Sequence, residues 1–252
     1  MRFFLTMKPL VKLFPLSEKC VALTTTIAFG NLGYQVAGGK GVYERRKHLA
    51  ASLNIPLSHF VFVYQSHSDK IIKVEQSDLG KGVKSFESGL DCDGLYTYLN
   101  AVPLCIFHAD CVPLFFIDET TNLVGIIHAG FEGTLKRVVY KSIKKIIEEE
   151  KIAIANLKFY IGPYRRVDHF IVNESVRQEV SDAGYACALS DHKFDNGLAV
   201  KKDLYELGVK QSQITDSNLD TVTDHEFYCA YRTHLDGLKN PAGRMVSLIY
   251  LK

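Results

Sequence analysis

The sequence predicts one α/β domain spanning residues 1–252, and three observations predict it. Short apolar runs bounded by turn residues alternate with stretches of helical periodicity from end to end. No linker-like segment, repeat or low-complexity tract interrupts them, so no boundary between domains is visible. At 252 residues and 47% hydrophobic composition, the chain has apolar side chains enough for a sizeable core.

In order along the chain, residues 1–15 alternate apolar and basic side chains and read as an opening strand. They lack the apolar core and small-residue cleavage site of a signal peptide. An apolar run ending at residues 24–27 adds a second strand, followed by turns at 30–33 and 38–41. Residues 43–53 form a helix with Leu49, Ala50 and Leu53 on its apolar side. Glycines before a helix can bind phosphate at its N-terminus, but a lone G-G-K-G lacks the P-loop spacing.

Residues 60–64 (F-V-F-V-Y) make a β-branched and aromatic strand ending in Gln65-Ser66-His67, and strand character resumes at 71–74. Residues 76–90 are a polar loop, with strands at 95–99 and 102–107. Two buried strands follow at 113–117 and 123–127, joined by an E-T-T-N turn. Over 134–150, Leu135, Val138, Val139, Ile143, Ile146 and Ile147 recur at spacings of three and four and predict a single helix. A strand at 157–161 stops at Gly162-Pro163. Helices at 174–183 and 199–207 stop at Gly184 and Gly208. Strands at 227–232 and 245–251 close the chain.

The net charge of +2, with no block of like charges, argues against nucleic-acid or membrane-surface partners drawn by bulk charge. Arg45-Arg46-Lys47-His48 reads as a solvated helix face. No run of about 18 apolar residues is present. Cysteines 20, 92, 105, 111, 187 and 229 follow no regular spacing, which suits reduced thiols and a cytoplasmic protein.

Chemistry concentrates at strand ends. Asp110 and Cys111 precede the run at 113–117, and His128 follows the run at 123–127. A tight connection between those strands brings Cys111 and His128 to one rim of a sheet, and His67 ends a third strand. One cysteine and two histidines form a familiar zinc set that leaves a fourth position for water or substrate. The competing structural reading makes Cys111 a core thiol and both histidines partners of backbone carbonyls. Two further readings stay open. One is a Cys–His nucleophilic pair oriented by Asp110 or Asp93. The other is a structural metal closed by His108 or Asp110. A multicopper centre lacks ligands, because none of the nine histidines forms a His-x-His pair. Arg46, Arg232 and Arg244 are candidates for anion contact, against the plainer reading of surface ion pairs.

Several motifs together resemble the YfiH/YlmD family, labelled laccase-domain or polyphenol oxidase proteins and described as purine nucleoside phosphorylases. They are N-L-G at 31–33, Q-S-H at 65–67, D-C-D-G-L at 91–95, A-D-C-V-P at 109–113 and H-A-G-F-E-G-T at 128–134. I-G-P at 161–163, F-Y-C-A-Y-R at 227–232 and G-R-M at 243–245 continue the match in order. The resemblance implies an α+β class, as a single-domain layered α/β sandwich with mixed sheets flanked by helices. It implies zinc held by His67, Cys111 and His128, where the older label implies copper. It also implies phosphorolysis of adenosine, inosine, guanosine and methylthioadenosine, and deamination of adenosine, with purine nucleoside and phosphate as partners. On that expectation Asp110 or Asp93 carries a proton, Arg46 holds phosphate and Gln65 bonds substrate. The chain departs from the family pattern in four places. Phe131-Glu132 replaces Trp-Arg, Arg45 replaces Asn, and Asp220 replaces Cys before Thr221.

Overall fold

The apolar runs become strands that pair into two six-stranded mixed sheets in the computed structural model, which describes residues 9–36, 39–231 and 243–252. From the N-terminus the strands are β1 (Val11–Phe14), β2 (Cys20–Thr25), β3 (Val61–Tyr64), β4 (Ile71–Lys73), β5 (Leu90–Asp91), β6 (Gly94–Thr97) and β7 (Leu104–His108). They continue as β8 (Val112–Asp118), β9 (Leu123–Ala129), β10 (Leu157–Ile161), β11 (Leu189–Ser190), β12 (Lys193–Phe194), β13 (Ile214–Asp216) and β14 (Met245–Leu251). The helices are α1 (Val42–Leu53), α2 (Phe131–Leu135), α3 (Val138–Glu150), α4 (Glu174–Asp182) and α5 (Asn196–Glu206).

The first sheet runs β1-β2-β14-β7-β3-β5 and the second β13-β10-β8-β9-β6-β4, while β11 and β12 make a small ribbon. β8 and β9 are buried along their whole length, which is why they read as unbroken apolar runs. Their alternate residues serve two cores, as the period of two requires. Phe115, Ile117, Val124 and Ile126 face the first sheet. Leu114, Phe116, Leu123 and Ile127 pack with Val139 and Ile143 of α3 and Val200 and Leu204 of α5. The result is the layered sandwich with mixed sheets and flanking helices. Among the described residues, no helix is long and apolar enough to cross a membrane.

Three expectations are corrected. The helix predicted over 134–150 is two helices, because Arg137 sits in the left-handed region at φ 64°. Its guanidinium pairs with Asp203 of α5 at 3.0 Å and with Glu206, and those contacts hold the break in place. Residues 227–231 form no strand. Phe227 and Cys229 are buried, which mimics strand composition, but Ala230 and Tyr231 are helical. The polar stretch 76–90 contains a helical turn at Gln76–Asp78 and the start of β5. Residues 1–8, Gly38 and Arg232 lie outside the described residues.

Candidate active site

The β8–β9 register sets the site. Val112 pairs with Ala129 and Pro113 with His128, so Cys111 and His128 meet at one rim, as the hairpin reading predicts. His67 reaches the same rim from the end of β3, in the left-handed conformation at φ 54°. Its carbonyl accepts a 2.8 Å hydrogen bond from Lys136 Nζ. The ligand atoms of His67, Cys111 and His128 all lie within 4.8 Å of one another, and the two imidazoles meet edge to face at 5.2 Å. Among the described residues this is the one cluster of three or more such donors close enough to hold a metal. Neither His108 nor Asp110 joins it.

Gly130 makes the convergence possible. A Cβ there would lie 2.8 Å from His67 Cδ2, 3.1 Å from His128 Cε1 and 3.2 Å from Cys111 Sγ. The cradle between the three donors therefore exists only because residue 130 has no side chain.

Asp93, fully buried, accepts from His128 Nδ1 at 2.9 Å and from the backbone and hydroxyl of Ser68 at 2.5 and 2.8 Å. Burial alone would raise its pKa, but the bond and charge of His128, with the Ser68 donors, hold it below the usual carboxylate range. An ionised Asp93 fixes the proton on His128 Nδ1 and leaves Nε2 for the cradle. Burial also opposes ionisation of Cys111 and of His128. Their mutual attraction and hydrogen bonds win, bringing the thiol down to about 6 and the imidazole up to about 9. A thiolate donor is thus available at neutral pH.

These donors border a pocket of ≈ 410 Å³ that also touches Phe86, Phe107, Arg165 and Arg244. Arg244, another anion candidate from the sequence, does reach the pocket. Burial lowers its pKa against the charges of Cys111 and Asp110. His108 borders the pocket too. Burial takes its pKa down to about 3, and its Nε2 lies 2.7 Å from Ser247 Oγ, so it stays neutral.

The other expected site residues each have partners within the protein. Arg46 is fully buried and donates to the carbonyls of Leu32, Gly82 and Val83, with its guanidinium 4.0 Å from the Phe62 ring centroid. It is no solvated face residue: its guanidinium is enclosed, and it does not line the pocket beside the donors. Gln65 borders the pocket, but both ends of its amide are held by the Phe107 backbone, at 2.8 and 2.6 Å. Asp93 is sealed behind His128 and is placed to orient it, not to meet substrate. Asp110 accepts from Thr221 Oγ1 at 3.0 Å and from Tyr231 N at 2.8 Å, so it fastens the C-terminal segment beside the site.

The departures fall into place around this frame. Glu132 is 68% exposed and faces Lys136 at 3.8 Å, and it is absent from the pocket wall. Phe131 packs among Phe170 and Phe194. Arg45 donates to the carbonyls of Asn31 and Lys40. Asp220 accepts from Val222 N at 2.9 Å, while Thr221 keeps its bond to Asp110. Sequence reasoning missed Arg165, although it lies just past the end of β10 and the strand-end rule that found the donors also reaches it.

Residues 22–252 match a family model described as multi-copper polyphenol oxidoreductase laccase. A Bacillus subtilis protein named purine nucleoside phosphorylase YlmD is 31% identical over 219 residues, 84% of this chain and 77% of its own length. The crystal structure of Bacillus licheniformis YfiH matches with a TM-score of 0.88 at 27% identity, covering 97% of each chain. That of Geobacillus stearothermophilus YlmD matches at 0.85 and 27%, covering 95% of this chain and 94% of its own. The donor rim, the two-sheet sandwich and these matches agree that the chain belongs to the YfiH/YlmD family, which the matching model describes as laccase and whose curated relatives carry an enzyme's name, purine nucleoside phosphorylase.

Proposed function

We propose that the chain is a single-domain, cytoplasmic, zinc-dependent purine nucleoside enzyme. Its reactions are phosphorolysis of adenosine, inosine, guanosine and methylthioadenosine, and deamination of adenosine. The observation that carries this reading is the convergence of His67, Cys111 and His128 within 4.8 Å at the wall of an aromatic and cationic pocket. One sulfur and two imidazole nitrogens suit zinc, and three protein donors leave an open position. Bound zinc supplies a Lewis acid there. Six free cysteines fit a reducing compartment.

The chain's own groups do the rest. Asp93 keeps His128 Nε2 turned into the cradle, and Gly130 keeps the cradle open. Phe86, backed by the buried Phe107, offers apolar ring surface on which a purine stacks. In phosphorolysis a phosphate oxygen forms a bond to the ribose C1′ as the C1′–N9 bond breaks. The bonding pair leaves with the purine, which takes a proton from solvent.

Cys111, His128 and Asp93 also have the order of a Cys–His–Asp triad. The third donor, His67, favours the metal reading. Incubation with inosine or adenosine and phosphate, with and without chelator, decides between them. Ribose 1-phosphate or inosine formation that falls at least about 100-fold on chelation and in His128→Ala is expected. Undiminished turnover in chelator, abolished by thiol alkylation, would establish the triad instead. Metal analysis of the purified protein separates zinc from copper.

A further inference from the structure

Among the described arginines, Arg45, Arg46, Arg137, Arg166 and Arg177 each reach a carbonyl or carboxylate oxygen. Arg165 does not. It borders the same pocket as Cys111 and His128, and its buried Nε has no hydrogen-bond partner. No described residue gives its guanidinium an ion pair. Its backbone is nevertheless fixed, because Arg165 N donates to Asp110 O at 2.9 Å, one residue from Cys111.

The guanidinium is held by rings. Its carbon lies 3.7 Å from the Phe170 centroid and 5.1 Å from that of Tyr231. Ring contacts stabilise the charge and restrict the side chain, but they satisfy none of its N–H donors. A partly desolvated cation with unused donors is costly until an anion arrives. Asp110, the carboxylate among that pocket's lining residues, is already bonded to Thr221 and Tyr231. Glu132 faces Lys136 instead. The neighbouring Arg166 shows the contrast, because Asp216 holds it at 2.9 Å.

We propose that Arg165 binds the attacking phosphate of the phosphorolysis reaction, a proposal that rests on the phosphorylase reading above. The guanidinium fork presents parallel N–H donors to two phosphate oxygens, a match that lysine cannot reproduce. A third oxygen then faces the ribose C1′.

The test is the phosphate dependence of ribose 1-phosphate formation from inosine by zinc-loaded wild type, Arg165→Ala and Arg165→Lys. The phosphate KM should rise at least about tenfold in Arg165→Ala and less in Arg165→Lys, while the inosine KM stays within about twofold and zinc content is unchanged. A wild-type phosphate KM in folded, zinc-loaded Arg165→Ala would overturn the assignment. Should that variant fail to fold, Arg165→Lys is read in the same way. Melting temperatures with and without inorganic phosphate separate the two readings. If the wild type makes no ribose 1-phosphate, the phosphorylase reading falls. Stabilisation by phosphate in wild type but not in Arg165→Ala then keeps Arg165 as an anion site. An equal shift in both proteins, or none in either, removes it.

Discussion

At the scale of single residues, Asp93 decides what His128 can do. Its carboxylate faces three donors, and one of them is the histidine ring. Asparagine in its place would have one accepting oxygen and one donating nitrogen. If the oxygen serves Ser68, the amide N–H points at Nδ1 and favours the tautomer with its proton on Nε2, the atom needed for metal. Asp93→Asn should therefore weaken zinc affinity about 10- to 100-fold while the protein still folds, measured by competition with a chromogenic chelator. Unchanged affinity would mean that the tautomer is set elsewhere. Cys111 and His128 were legible in the sequence because hairpin register converts strand-end positions into neighbours. Arg46 was not, since a charged run on a helix looks solvated whether or not rings and carbonyls enclose one member. Arg165 was obscured for a related reason. A doublet of arginines after a strand does not reveal that one meets Asp216 and the other a pocket.

At the scale of elements, the β8–β9 hairpin bears two donors and must hold its register. Phe116 pairs with Gly125 across it, and a Cβ on Gly125 would lie 2.0 Å from Phe116 Cζ. The phenyl ring lies over the bare glycine and beside Phe159, within the core under α3. Gly125→Ala forces that ring out of a close-packed layer, and overpacking of this kind costs about 3 kcal/mol. For a chain of this size, melting should fall by roughly 6–12 °C. The effect should leave zinc stoichiometry unchanged, because the clash lies mid-strand and away from the donor rim. A melting temperature equal to wild type would show that Phe116 has another rotamer available. The strands themselves were legible because burial on both faces makes them uniformly apolar. The split between α2 and α3 was hidden, since apolar spacing continues through Arg137 and only the ion pairs to α5 reveal the break.

At the scale of the whole molecule, the two cores and the donor rim are separable. The core between the sheets and the core under α3 and α5 are built from buried apolar side chains, none of them a donor, and the three donors occupy one edge, where Val112 and Ala129 join them to the second core. Zinc would tie that edge together by joining the His67 loop, the start of β8 and the end of β9. A ligand present at about 100–1,000 times its dissociation constant stabilises by roughly 3–4 kcal/mol. Chelation should thus lower the melting temperature on the order of 10 °C in a chain of this length. It should leave a cooperative transition and native circular dichroism at 25 °C, because neither core contains a donor. Unfolding on chelation at that temperature would assign the metal a structural role and make the rim a folding clamp. A stable apo-protein that regains nucleoside turnover when zinc is restored would instead show that the sheets hold the donors in place before the metal arrives. The missing Cβ at Gly130 and the Asp93 anchor favour that second outcome, since one is covalent and the other is a buried hydrogen bond on the side of His128 away from the cradle.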